Sequence, residues 1–98
     1  MEELIRALNI FSKYLKDDYS RDFPTSCQHD VLYVCGVDLE RMDVDTVYRL
    51  IELGFVPGSH GDTGYYNYYW GGNFTQEEWE IRRKNLTDCF HSYKYGSC

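Results

Sequence analysis

Apolar side chains recur at three- and four-residue steps near the start of the chain, at Leu4, Ile5, Leu8, Phe11, Tyr14 and Leu15. That spacing predicts an amphipathic helix over residues 2–16 with these six along its inner stripe. Glu2 and Glu3 suit the positive end of its dipole. A polar connector holding Pro24 follows. The segment DVLYVCGV, residues 30–37, is β-branched and apolar at both odd and even positions, which predicts a central strand covered on both faces. Asp43 is placed to cap a second helix, in which Val44, Val47, Leu50 and Ile51 point inward and Gly54 ends the run. Phe55 and Val56 then return to the core.

The remaining pattern is denser in aromatics. PGSHGDTG, residues 57–64, reads as a glycine-rich loop, and GYYNYYW, residues 64–70, as a second strand closed by Gly71 and Gly72. Thr75 and Glu78 form a capping box, with Phe74 and Trp79 at the two positions of a hydrophobic staple, so a helix is predicted from there to about Asn85. Glu78 with Arg82 and Glu80 with Lys84 are one turn apart and support it. A last strand, residues 89–95, alternates Phe90, Ser92 and Lys94 with Cys89, His91, Tyr93 and Tyr95. The order αβαβαβ predicts a single α+β domain over residues 1–98, a three-stranded mixed or antiparallel sheet covered by two to three helices.

Size and charge narrow the possible functions. A chain of 98 residues has room for one modest core, and its hydrophobic share of 43%, with 17% aromatic, is that of a folded protein. Sixteen acidic against ten basic side chains give a formal charge of −6, which disfavours direct nucleic-acid binding, since phosphates are neutralised by Lys and Arg. The first residues carry charge and no long apolar run, so neither a signal peptide nor a membrane anchor is expected, and the setting predicted is cytoplasmic. In a reducing compartment Cys27, Cys35, Cys89 and Cys98 are expected as free thiols or metal ligands. The sequons at Asn73 and Asn85 have no consequence there.

The tripeptide C-x-H occurs twice, as Cys27-Gln28-His29 and Cys89-Phe90-His91. If the strands carrying them are neighbours, Cys27, His29, Cys89 and His91 can share a face and offer zinc a tetrahedral set, with Cys35 or Cys98 as substitutes. The spacing departs from the usual C-x₂₋₄-C and H-x₃₋₅-H, and the competing reading is of small buried cysteines beside hydrogen-bonded rim histidines. A thiol nucleophile is disfavoured because catalytic Cys and His partners meet from distant segments. The acidic run Asp38, Glu40, Asp43 and Asp45 lacks the glycine of a calcium loop and reads as a helix cap and first turn, or as an acidic docking surface. GSHGDTG lacks a phosphate-loop pattern. Tyr65, Tyr66, Tyr68 and Trp70 beside those carboxylates make a composition suited to protein contact, because aromatics bring large area at little rotamer cost.

HDVLYVCGVD, an acid-capped helix ending in LIELGF, and the tail DCFHSYKYGSC together resemble small acidic proteins of bacteriophages and mobile elements. The resemblance covers most of the chain and implies a phage setting, in which proteins of this size inhibit host defence, anti-CRISPR proteins among them, or modulate host enzymes. It carries over no binding residue. The function expected is non-enzymatic: a protein that sequesters or inhibits a host macromolecule through an acidic and aromatic surface formed by Asp38, Glu40, Asp43, Asp45, Tyr65, Tyr66, Tyr68 and Trp70. A zinc-stabilised domain is the alternative, and a small nucleotide-type ligand among the tyrosines a weaker one.

Overall fold

The computed structural model describes residues 2–16, 25–28, 30–58, 70 and 73–95. Among them are three α-helices, α1 (Glu2–Ser12), α2 (Val44–Glu52) and α3 (Gln76–Arg82), and four strands, β1 (Thr25–Gln28), β2 (Val31–Cys35), β3 (Val56–Pro57) and β4 (Cys89–Ser92). Short 3-10 turns occupy Leu39–Arg41 and Arg83–Asn85. The strands form one sheet in the order β1-β2-β4-β3, antiparallel at every pairing. The α+β class therefore holds, with a four-stranded sheet in place of three strands and a β1–β2 hairpin where no strand pair was expected. The strand expected over residues 64–70 lies outside the described residues except for Trp70, which is in a turn.

The hairpin is closed by two residues, since Gln28 pairs with Val31. Asp30 has a φ of 65°, in the left-handed region where Asp is among the better-tolerated residues and where tight hairpin turns place their central positions. Pairing fixes the faces. Cys27, Leu32 and Ser92 form one cross-strand row, and Val34, Phe90 and Pro57 lie on the same side two positions along. Ser26, Tyr33, His91 and Val56 form a row on the opposite side, with Cys35 and Cys89 beside it. Val34 and Phe90 are buried on the first side, Val31 and His91 on the second. β2 is thus covered on both faces, as its unbroken apolar run requires.

Helix α1 stops at Ser12, short of the predicted end, because the backbone after it is needed elsewhere. Leu15 bridges Val37, Lys16 N–H donates to Gly36 O at 2.8 Å, and Asp38 N–H donates to Tyr14 O at 2.6 Å. Its inner stripe is also narrower than predicted. Ala7 and Phe11 are buried, with Leu4, Ile10 and Tyr14 partly so, whereas Ile5 is 51% and Leu8 37% exposed. The small Ala7 lets the helix approach closely, and Ile5 and Leu8 are rotated off that line by the helical step of about 100°. Phe11 then meets Phe55 and Phe90 edge-on, both at 5.1 Å between centroids.

Helix α2 follows its local signals. Asp43 accepts from Thr46 N–H at 3.0 Å, and Val47 and Leu50 are buried. At the other end Gly54 N–H reaches Ile51 O and Phe55 N–H reaches Leu50 O, the double bond pattern of a Schellman cap. Gly54 has a φ of 99°, which a residue with a Cβ rarely adopts, and a Cβ there would also press on the Lys94 side chain at 3.1 Å.

Helix α3 carries the predicted capping box in full, Thr75 and Glu78 bonding reciprocally at 3.0 and 3.1 Å. The staple residues Phe74 and Trp79 are both buried. Four bonds tie α3 and its approach to α2 and its approach: Trp79 Nε1–H donates to Met42 O at 2.7 Å, Val44 N–H to Gln76 Oε1 at 2.8 Å, and Phe74 N–H to the Tyr48 hydroxyl at 2.7 Å, which in turn donates to Phe74 O. Arg82 lies 3.9 Å from Glu78, as predicted. Glu80 instead accepts from Gln76 at 3.0 Å, and the predicted pair with Lys84 is not made.

Candidate functional site

Chain pairing around Val37 builds a groove of about 680 Å³ between the end of α1 and the Leu39–Arg41 turn. Leu39 and Met42 are buried and anchor that turn from below. The rim carries Lys13, Lys16 and Arg41 facing Asp38, Glu40 and Asp88. Lys16 and Asp88 form an ion pair across it. Arg41 donates to Lys13 O at 2.8 Å and its guanidinium stands 5.7 Å from the Tyr14 ring centroid. The groove is a mixed-charge surface feature and not an apolar cavity.

Of the acidic run, Glu40 and Asp45 are exposed, and Asp38 is half-buried at the groove edge. Asp43 is exposed but committed. Its carboxylate accepts from both the backbone and the hydroxyl of Thr46, the latter at 2.6 Å, and these bonds hold its pKa below the usual aspartate value. Asp43 is thus a helix cap, and the carboxylates of the run that are exposed without that commitment are Glu40, Asp45 and, in part, Asp38. The aromatic half of the predicted contact surface fares differently. Tyr65, Tyr66 and Tyr68 lie outside the described residues. Trp70 is only 7% exposed. Its ring packs edge-on to Phe74 at 5.2 Å and to Trp79 at 6.2 Å, with the Arg82 guanidinium 5.1 Å from its centroid. Trp70 is a core residue, placed there because the indole completes an aromatic cluster that α3 leaves open.

The predicted zinc set is not assembled by the sheet. β2 separates β1 from β4, and the register puts Cys27 on the face of Leu32 and Ser92 while Cys89 and His91 occupy the other. His29 lies outside the described residues. The cysteines are also not free: Cys35 and Cys89, directly opposed in the β2–β4 pairing with Cα atoms 4.0 Å apart, are joined by a disulfide, and Cys27 is disulfide-bonded as well. A sulfur in a disulfide has no thiolate to give a metal. His91 is buried, with Nδ1 2.7 Å from Gly58 O. Among the described residues no three His, Cys, Asp or Glu side chains converge as metal ligands.

One further ion pair sets a local pKa. Lys94 donates to Glu3 at 2.6 Å, joining the turn after β4 to the start of α1. That bond lowers the carboxyl of Glu3 and raises the ammonium of Lys94. Among the described residues no helix is long and apolar enough to cross a membrane. Compared with protein-family models, curated proteins and solved structures, the chain matches none.

Proposed function

We propose that the chain is a non-enzymatic binding protein, of the kind bacteriophages use against their hosts, which occupies a host protein through the surface around the Leu39–Arg41 turn. The observation that supports this reading is the anchoring of that turn. Buried Leu39 and Met42 hold it from beneath, so Glu40 and the edge of Asp38 are presented on a fixed backbone at the groove, with Asp45 exposed in the first turn of α2. A pre-ordered charged surface loses less freedom on binding than a mobile one. The formal charge of −6 on the chain as a whole steers it toward basic partners.

The test is capture of a host partner by immobilised protein, repeated with the charge-reversed variant Glu40→Lys with Asp45→Lys. A specific partner retained by the parent and lost by the variant is the expected result, with affinity falling between about 0.1 M and about 1 M salt because exposed charges are screened over roughly 8 to 10 Å. Equal retention by both proteins at both salt concentrations would sink this reading. A cytoplasmic site of action carries its own consequence, since reducing compartments keep thiols unpaired. Cys35 and Cys89, set side by side by register, would then be trapped as free thiols by alkylation during lysis. An intact bond under that trapping would move the site of action to an oxidising compartment.

A further inference from the structure

Nine of the ten basic side chains are among the described residues, and their partners divide them sharply. Lys16 pairs with Asp88, Lys94 with Glu3 and Arg82 with Glu78. Arg41 bonds the Lys13 carbonyl, and Arg83 reaches Leu39 O at 3.5 Å. Among the described residues the side chains of four cations make no hydrogen bond or ion pair: Arg6, Lys13, Arg49 and Lys84. Three of these four line a single feature. Arg6 and Arg49 face a depression of about 360 Å³ between α1 and α2 with Asn9, Ile10, Glu52 and Leu53, while Lys13 and Arg49 face its continuation of about 280 Å³ with Ile10, Tyr14, Asp45 and Thr46. Ile10 and Arg49 belong to both halves, so this is one groove.

From this placement we infer that the α1–α2 groove is a docking surface for an acidic peptide segment, one carrying carboxylates on either side of an apolar residue. Cations without partners, brought together on a chain of formal charge −6, mark a place where negative charge is received. Arg6 and Lys13 are seven residues apart on or just beyond α1, about 10 Å along the axis, and an extended peptide covers that distance in three residues. Arg49 stands between them on the facing helix and can take a carboxylate through both guanidinium nitrogens. Ile10 supplies the apolar floor under the central residue. Glu52 and Asp45 on the groove wall set a limit on the total charge received, which favours a short peptide over a continuous polyanion. The inference does not rest on the surface proposed above, since it concerns the opposite sign of charge and shares with that surface only Asp45 and Lys13.

The probe is a fluorescently labelled peptide with two glutamates three residues apart and a leucine between them, titrated by anisotropy. Binding to the parent protein is expected, weakened by about tenfold or more in Arg6→Glu with Arg49→Glu, since each substitution turns an attraction between exposed charges into a repulsion. Lys84→Glu, which reverses a cation outside the groove, should leave the affinity nearly unchanged. Circular dichroism and urea midpoints confirm that the variants remain folded. No binding by the parent, an equal loss in Lys84→Glu, or tighter binding of a single-stranded oligonucleotide than of the peptide would each overturn the inference.

Discussion

The corner where α3 meets α2 and the groove where α1 meets α2 are both helix–helix contacts, yet they treat their polar groups in opposite ways. At the corner nearly every polar group is consumed inside the protein. The Trp79 indole bonds Met42, the Tyr48 hydroxyl both donates to and accepts from Phe74, Gln76 caps the start of α2, and Arg82 lies over the rings of Trp70 and Phe74 at 5.1 and 4.9 Å. At the groove the side chains of Arg6, Lys13 and Arg49 are exposed and make no hydrogen bond or ion pair among the described residues. Satisfied groups hold a fold together; unsatisfied charges on a rigid frame are available to another molecule. On that difference the corner serves stability, and the groove, with the nearby Leu39–Arg41 turn, is where we propose recognition.

The largest effect expected from breaking that distinction is at the corner. Trp79→Ala removes a fully buried indole and its bond to Met42, and should cost about 3 to 5 kcal/mol in urea denaturation. Tyr48→Phe keeps the ring but orphans Phe74 N–H and O, for an expected loss of about 1 to 3 kcal/mol. Asp43→Ala removes one cap only, costing about 1 kcal/mol, and it changes the pH dependence. The folded-state pKa of Asp43 is lowered, so its contribution is present above the unfolded aspartate pKa and is lost as pH falls through the folded value. The alanine variant should therefore show a smaller loss of stability than the parent across that acid window, and identical slopes would contradict the cap's role.

How much of this was legible beforehand follows the range of the interactions. The capping box at Thr75 and Glu78, the Asp43 cap and the Gly54 stop are written within a few residues of one another, and all three stand in the structure. β1 was missed because TSCQ lacks the apolar alternation of a half-buried strand; as an edge strand with exposed residues, it is held by pairing with β2. Trp70 was misassigned to the surface because nothing local says that a tryptophan between tyrosines and glycines will fold back against α3. The Cys35–Cys89 bond spans 54 positions and depends on the β2–β4 register, which no motif encodes. The groove cations were half visible. Arg6 and Lys13, seven residues apart, share the outer face of the first helical segment, but Arg49 joins them only through the packing of α2.

The most direct measurement compares two arginines that the distinction treats as opposites, by urea denaturation of Arg82→Ala and Arg49→Ala. Arg82, set over two aromatic rings and beside Glu78, should lose about 1 to 2 kcal/mol on truncation. Arg49, exposed in the groove, should change stability by no more than about 0.5 kcal/mol. A stability loss at Arg49 equal to or greater than that at Arg82 would show that the groove cations serve the fold and are not held in reserve for a partner.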